Sequence, residues 1–240
     1  MRAARLSSAA AAAALLLAVA PSAQPGARAT RTITWSGYTW TVSSSGSKKA
    51  GPGPNYFSDS SSNVWVDSAG RLHLVLKKSK DRWYCASITN TQSLGYGRYS
   101  WTTASPVNAL DKNAVLGLFT WSDDPTFNNR EIDIEASRWG DGSSKTNSGW
   151  TVQPYTHSGN GQDYTLPAAP STTESFHWTA GRVDFATTTG TPASWSYTGP
   201  DVPPAGGEHP HMNLWLFRGK APKNAKTIEV VFQSFTFTAG

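Results

Sequence analysis

The segment NNREIDIEASRWG, residues 128 to 140, alternates three acidic residues with two isoleucines. Side chains two positions apart on a β-strand point to the same face. In a strand, Glu131, Asp133 and Glu135 therefore share one face, and Ile132 and Ile134 share the other. The pattern predicts a strand with an apolar side packed in a core and three carboxylates on the opposite side.

Three like charges on one face of a strand repel each other, so the arrangement needs an explanation. One interpretation is an exposed strand whose acidic face is solvated. A metal site is a weaker alternative, because no cluster of histidines or carbonyl-supplying residues stands beside the acids. The third interpretation is a pair of catalytic carboxylates whose protonation a third acid adjusts. The alternation by itself leaves these interpretations open.

The rest of the chain predicts an all-β fold. Thr, Ser, Val, Tyr and Trp dominate, Gly, Pro, Asn and Asp interrupt them about every eight to twelve residues, and helical periodicity is almost lacking. This spacing is typical of a β-jelly-roll sandwich (concanavalin A-like), in which one sheet can bend into a concave substrate groove. Predicted strands cover residues 71–78, 82–88, 95–103, 114–121, 130–137, 149–155, 176–187, 193–199, 211–217 and 227–237.

The first 29 residues differ in composition from the rest. Arg2 and Arg5 precede a short run rich in Ala and Leu, and an A-x-A sequence ends at Ala29. This is the pattern of a secretory signal peptide, and the apolar run is too short for a good membrane span. We expect cleavage after Ala23 or Ala29, with Ala29 preferred. Residues 30–240 would then form a single secreted, extracellular domain.

Charge and cysteine content exclude several classes of protein. The formal net charge is +5, but without the three arginines of the leader 18 basic residues face 16 acidic ones. Beyond two lysine pairs the basic residues do not cluster, so a nucleic-acid footprint is missing. The single cysteine, Cys85, allows no intrachain disulfide, and we expect a buried, inert thiol. We expect a monomer with no nucleic-acid and no membrane partner.

Aromatic residues suggest the partner. The chain has eleven tryptophans, more than a core of this size requires. Phe119 and Trp121 share one face of GLFTW, and His211, Asn213 and Trp215 share one face of HMNLWLF, opposite three aliphatic residues. Each ring by itself also fits a core. Together with the acidic strand, these faces predict a polysaccharide groove, because flat rings stack on sugars and carboxylates can cleave glycosidic bonds.

The pentapeptide EIDIE resembles the active-site signature of glycoside hydrolase family 16, in the form without an inserted residue. LGYGRYSW, GLFTW, VQPY, FHW and MNLW flank it in an order and spacing similar to the lichenase-type β-glucanase branch, though distantly. The resemblance runs over most of residues 50 to 237. It implies that Glu131 is the nucleophile, Glu135 the general acid/base and Asp133 their helper. Tyr155 of VQPY joins the groove residues predicted above to contact substrate.

This resemblance implies a retaining endo-glycosidase that hydrolyses internal β-glycosidic bonds, with β-glucan as the expected polysaccharide. The alternatives are a transglycosylase that uses the same residues and a non-catalytic carbohydrate-binding jelly roll. Asn129 and Arg130 replace a Trp-Asp pair of the lichenase type, and Ser87 and Thr89 stand near its Glu-x-Arg pair. These departures affect sugar contacts, so they weaken the assignment of mixed-linkage β-glucan more than that of glycoside hydrolysis.

No cofactor is required for this chemistry. His209 and His211 could chelate a metal, but Pro210 lies between them and further ligands are not evident in the sequence. We therefore predict no metal at the site. Relatives in the resembled family can hold a structural calcium away from the groove, and the sequence neither shows nor excludes one.

Overall fold

The computed structural model describes residues 30–188 and 192–240. Strands dominate because β-branched and aromatic residues fit a pleated, half-buried surface. The described residues also contain two short 3-10 turns, Asn128–Arg130 and Phe217–Gly219. The strands are β1 (Thr32–Trp35), β2 (Tyr38–Val42), β3 (Tyr56–Phe57), β4 (Val64–Val66), β5 (Leu72–Ser79), β6 (Arg82–Asn90), β7 (Gly97–Thr103), β8 (Ala114–Trp121), β9 (Ile132–Ser137), β10 (Ser148–Val152), β11 (Gly161–Tyr164), β12 (Thr173–Thr179), β13 (Arg182–Thr187), β14 (Ala193–Tyr197), β15 (His209–Leu216) and β16 (Ile228–Ala239).

Backbone pairing arranges most of these strands in two antiparallel sheets. The groove sheet has the order β11-β10-β9-β8-β15-β6-β2-β1, and the back sheet has the order β4-β5-β16-β7-β12-β13-β14. The β5–β6 hairpin connects the two sheets, and β3 adds to β6 in parallel. This arrangement confirms the predicted jelly-roll sandwich.

The hydrophobic core lies between the two sheets. Ile132, Ile134 and Leu118 of the groove sheet are at most 2% exposed, as the alternation predicted. Ring contacts cross the interior: Trp150 of β10 stacks on Phe185 of β13 with their centroids 5.8 Å apart. Burying large apolar side chains in this way stabilises the fold by about 1.5–3 kcal/mol for each one. The opposite face of the groove sheet is therefore free to carry polar groups.

Most predicted strands match the structure to within two or three residues, and β8 matches at both ends. One prediction was wrong: residues 176–187 form a hairpin of β12 and β13 instead of a single strand. The chain reverses at Gly181, whose φ of 78° suits a residue without a side chain. The sequence patterns also missed five short strands, β1, β2, β3, β4 and β11, which are too short to show a clear alternation.

The predicted signal peptide lies outside the described residues. Within residues 30–188 and 192–240, we find no helix with the length and apolar character needed to cross a membrane.

Candidate active site

A cavity of about 600 Å³ opens on the outer face of the groove sheet. Its floor comes from β6, β8, β9 and β15, and the segment from Ser43 to Phe57 supplies one side. Eight of the nine predicted site residues line it: Phe119, Trp121, Glu131, Asp133, Glu135, His211, Asn213 and Trp215. The volume is within the range typical of small-molecule sites.

Tyr155 is the predicted site residue that the structure places elsewhere. Its side chain is 76% exposed and does not line the cavity. The strand predicted over residues 149–155 ends at Val152, so the strand alternation does not continue to Tyr155. Tyr155 therefore lies outside the cavity, and its contact with substrate stays a prediction.

Strand register brings the site residues together in rows. Asp133 of β9 pairs with Phe119 of β8, which pairs with His211 of β15. In the next row, Glu135 pairs with Gly117, and Gly117 pairs with Asn213. Two rows across three neighbouring strands therefore put the acids, the aromatic ring and the amide on one surface.

Gly117 makes room for the amide of Asn213. A Cβ atom at position 117 would lie 2.5 Å from Asn213 Oδ1, so any larger residue would displace that side chain. Asn213 is 3% exposed, and its Oδ1 accepts no hydrogen bond from the described residues. Because buried polar atoms are normally paired, this free acceptor beside the cavity is suited to a ligand hydroxyl.

Asp133 is the most buried of the three acids, with 4% of its surface exposed. Its Oδ2 accepts a hydrogen bond of 2.8 Å from Gln153 Nε2. It also shares a hydrogen bond with the carboxyl of Glu131. Sequence reasoning missed Gln153, although it stands in the quoted VQPY motif. Its position just after β10, the strand next to β9, was the available signal.

The surroundings raise the pKa of all three carboxyls. Burial is the main cause for each, and the charge of Asp133 adds to it at Glu131 and at Glu135. Gln153 acts in the opposite direction on Asp133, because its N–H favours the ionised form. Glu131 and Glu135 keep part of their surface open to the cavity. Interacting acids lose their protons in separate steps, so the group keeps at least one proton near neutral pH.

An unusual backbone segment precedes Glu131. Four successive residues, from Phe127 to Arg130, have φ between 51° and 59°, in the left-handed region that non-glycine residues rarely adopt. Arg130 is held by an ion pair of 3.0 Å to Asp124, and its carbonyl accepts a hydrogen bond from Thr120 Oγ1. After this turn the backbone is extended at Glu131, and β9 begins one residue later.

His211 presents a neutral ring to the cavity. Burial is the main cause that lowers its pKa to about 4, and the charge of His209 adds to it. The ring stacks on Phe119, with centroids 5.0 Å apart, and Nδ1 lies 3.1 Å from Thr89 Oγ1. Among the described residues, no group of three or more potential ligands could hold a metal ion.

Six of the eleven tryptophans are buried, which accounts for part of their number as core residues. Trp215 is among them with 7% exposure, although it also lines the cavity. Cys85 is a free thiol with no exposed surface, and burial raises its pKa to about 12. The prediction of a buried thiol without a disulfide is confirmed.

Comparison with known proteins identifies the fold. The chain matches a Bacillus licheniformis β-glucanase with a TM-score of 0.65 and 19% identity, over 84% of this chain and 92% of that one. A β-1,3-1,4-glucanase (lichenase) from a mouse hindgut metagenome gives 0.62 and 17%, over 84% and 93%. An immunostimulatory antigen and pseudo β-1,3-glucanase of Mycobacterium tuberculosis gives 0.61 and 16%, over 84% and 91%.

No family model matches the sequence, and no curated protein matches it. The chain therefore has the jelly-roll fold of β-glucanases, with low sequence identity to each of them. This agrees with the distant resemblance to glycoside hydrolase family 16 that the motifs indicated. One of the three neighbours is described as a pseudo-enzyme, so the activity has to be argued from the site.

Proposed function

We propose that this protein is a retaining endo-glycosidase of the family 16 type that hydrolyses internal β-glycosidic bonds of a polysaccharide. The observation that carries the proposal is the row of three acids, Glu131, Asp133 and Glu135, on the wall of a cavity that aromatic and amide side chains also line. The β-glucanase names of the structural neighbours support a β-glucan as the substrate.

The proposed reaction has two steps. Glu131 attacks the anomeric carbon while Glu135 donates its proton to the oxygen of the departing sugar, so that the glycosidic bond breaks and a glycosyl-enzyme ester forms. Glu135, now ionised, takes a proton from a water molecule, which attacks the same carbon and releases Glu131. Two inversions at the anomeric carbon retain its configuration.

Asp133 fits the role of helper because it shares a hydrogen bond with Glu131. In the free protein this hydrogen bond favours the protonated form of Glu131 and the ionised form of Asp133. A nucleophile has to be ionised, so in the proposed reaction the shared proton moves from Glu131 to Asp133 before the attack. Burial raises the pKa of Glu135, which keeps it protonated as the acid at the start of the reaction. His211, neutral near pH 7, would contribute hydrogen bonding and a flat surface without adding charge.

The aromatic and amide residues would bind the sugar chain. Phe119, Trp121 and Trp215 line the cavity and would offer apolar surface for pyranose rings. Asn213 Oδ1, buried and free among the described residues, would accept a hydrogen bond from a sugar hydroxyl. We propose that the enzyme is exported through the leader that ends near Ala29 and acts outside the cell as a monomer.

Two alternatives use the same cavity. A transglycosylase would pass the glycosyl unit from Glu131 to another sugar, and the geometry of the acids fits this reaction equally well. A carbohydrate-binding jelly roll would lack catalysis, as the description of the pseudo-glucanase neighbour illustrates. A binding protein gains nothing from three acids with raised pKa at the centre of its site, so the catalytic interpretation is favoured.

The test is release of reducing ends from a panel of soluble polysaccharides, comprising mixed-linkage β-1,3-1,4-glucan, β-1,3-glucan, xyloglucan, agarose and xylan. We expect a rapid fall in viscosity with at least one of them and a β-configured product in early NMR spectra. An α-configured first product would refute retention. If all substrates bind without cleavage, the binding-module alternative replaces the proposal.

A further inference from the structure

The groove sheet ends in a group of aromatic rings in which Trp139 and Phe217, unlike Trp215, have no predicted role. Leu216 at the end of β15 pairs with Ala114 at the start of β8, and Ser137 at the end of β9 pairs next to them. Two residues beyond Ser137, Trp139 meets Trp215 edge to face, with ring centroids 6.1 Å apart. The ring of Trp139 also meets Phe217 at 5.5 Å.

These rings adjoin the wall of the cavity. Trp215 lines the cavity, and Trp139 packs against both Trp215 and Phe217. Trp215 is 7% exposed, whereas Trp139 is 42% exposed. An aromatic surface therefore extends from the cavity towards solvent at this edge of the sheet.

The backbone holds Trp139 in this exposed position at a cost. Its φ is 50°, in the left-handed region that bulky residues adopt only under constraint. Its N–H donates to Ser137 Oγ at 3.0 Å, and the following residue, Gly140, donates its N–H to the carbonyl of Lys112 at 2.7 Å. Constrained residues of this kind concentrate at ligand-binding sites. Burial alone does not explain the conformation, because much of the ring stays in water.

We propose that Trp139, supported by Phe217 and continuous with Trp215, forms a further sugar-binding subsite at the outer end of the groove. A pyranose ring of the polysaccharide would stack on its free surface, since C–H groups of one sugar face carry partial positive charge and an aromatic face carries partial negative charge. This subsite rests on the proposed function, because that function supplies the sugar chain. A sugar-binding subsite at this end of the groove makes the enzyme cleave long chains with a higher kcat/KM than short ones.

The experiment compares Trp139→Ala and Trp139→Phe with wild type, after thermal melts show that each variant is folded. Trp65→Ala is the matched control, because Trp65 is a half-buried tryptophan on the back sheet, stacked on His73. Retardation in gels that contain mixed-linkage β-glucan or β-1,3-glucan measures binding. The ratio kcat/KM for long polysaccharide and for a short aryl β-glycoside measures the effect of chain length.

We expect Trp139→Ala to bind the retarding polysaccharide about fivefold more weakly and to lose a similar factor in kcat/KM on long chains, as the loss of one ring stack implies. The short aryl glycoside should be cleaved at the wild-type rate, Trp139→Phe should recover part of the loss, and Trp65→Ala should match wild type.

Equal retardation of Trp139→Ala and wild type would overturn the subsite and leave Trp139 as a cover for Phe217. An equal loss on short and long substrates would also overturn it. Wild type that binds without cleaving would refute the proposed hydrolysis, while the gels would still decide the subsite. Wild type that no polysaccharide retards would overturn the subsite as well.

Discussion

Two of the buried carboxyl groups among the described residues, Asp133 and Glu174, have different surroundings. On the groove sheet, Asp133 is 4% exposed between two further acids at the wall of a cavity. Between the sheets, Glu174 of β12 is also 4% exposed, but it does not line that cavity, and its Oε2 accepts a hydrogen bond of 2.9 Å from Tyr164. Burial is the main cause of a raised pKa at both places, and it raises that of Glu174 to about 7.

A raised pKa has a different meaning at each of these two places. Glu174 lies near Trp150 Nε1 and Thr187 Oγ1, which favour its charged form without making well-aligned hydrogen bonds. Among the described residues, no other acid contributes to the pKa shift of Glu174, so none there takes a complementary role. A raised pKa by itself therefore indicates burial, and only acids beside an accessible cavity with free hydrogen-bonding groups indicate a reaction.

Substitutions at the two places should differ most strongly in their effect on activity. Glu131→Ala and Glu135→Ala should each reduce polysaccharide hydrolysis at least about 1,000-fold, because each removes a group that acts on the reacting bond. Glu174→Gln has nearly the same shape as wild type and should stay within about threefold of its activity. Reducing-end assays on purified, folded variants measure this. Loss of activity in folded Glu174→Gln would remove the distinction between the two places.

Azide separates the roles within the groove. In Glu135→Ala, an aryl glycoside with a good leaving group should still form the glycosyl-enzyme, and azide should release it as the β-glycosyl azide, since azide needs no general base. In Glu131→Ala, azide can enter only from the vacated side and should give the α-azide. NMR of the products identifies the anomer. Exchanged anomers would reverse the assignments of Glu131 and Glu135.

The second prediction concerns stability and pH. The carboxyl of Glu174 has a pKa of about 7 in the folded chain against an ordinary value of 4.5, so its neutral form is favoured by folding. Its contribution is fully present below pH 4.5 and is lost as the pH rises to about 7, by about 3 kcal/mol in total. Urea unfolding at pH 4.5, 6 and 8 should show a shallower pH dependence for Glu174→Gln than for wild type.

A matched control keeps this measurement specific. Asp163→Asn changes an exposed acid on β11 and should leave the wild-type pH dependence of unfolding in place. Glu135→Gln should remove a separate part of that dependence, because burial raises the pKa of Glu135 as well. Identical pH dependence in wild type and Glu174→Gln would show that Glu174 ionises inside the fold without cost.

The sequence predicted strands and their buried faces best where apolar and polar residues alternate over a long segment. Ile132 and Ile134 have at most 1% exposure and the acids between them face the cavity, because a strand with one buried side permits only one register. β8 was predicted with both of its ends, since Leu116 and Leu118 are buried opposite Phe119. The fold class and the central rows of the site thus follow from a period of two.

Features that depend on loops and on contacts distant in sequence could not be predicted in the same way. Gln153 reaches Asp133 from 20 residues away, and nothing local indicates that hydrogen bond. Trp139 has a left-handed backbone conformation that tryptophan rarely adopts. Residue preferences therefore could not predict this conformation. Tyr155 was assigned from the VQPY motif, but the strand of that motif ends at Val152 and leaves Tyr155 in a loop.

The third prediction tests Gln153 as a residue that positions and tunes Asp133. Gln153→Ala removes the N–H that favours the ionised form of Asp133, so the pKa of Asp133 should rise further. The acidic limb of the kcat/KM profile should then move to higher pH by about half to one pH unit, as the loss of one hydrogen bond implies. The profile is measured from pH 4 to 9 with a soluble polysaccharide.

Gln162→Ala is the control for this change, because Gln162 lies exposed on β11 and donates to the carbonyl of its neighbour. It should leave both limbs of the profile in place. A lower rate in Gln153→Ala with an unchanged profile would mean that Gln153 supports the loop without influencing the acids.

Substitution of the buried thiol of Cys85, which lies beside the groove, should change activity least. Cys85 pairs with Phe57 and lies two residues before Ser87, which lines the cavity, yet its thiol has no exposed surface. Burial raises its pKa to about 12, so the reactive thiolate is negligible near neutral pH.

Cys85→Ala should keep activity within about twofold and lose about 1 kcal/mol of stability through the small cavity it leaves. In native wild type the thiol should resist a maleimide reagent and should react once urea unfolds the chain. Rapid labelling of the folded protein, with loss of activity, would show that Cys85 affects the active site although its thiol has no exposed surface in this structure. Contact with the cavity would then no longer distinguish the buried groups that act in the reaction from those that do not.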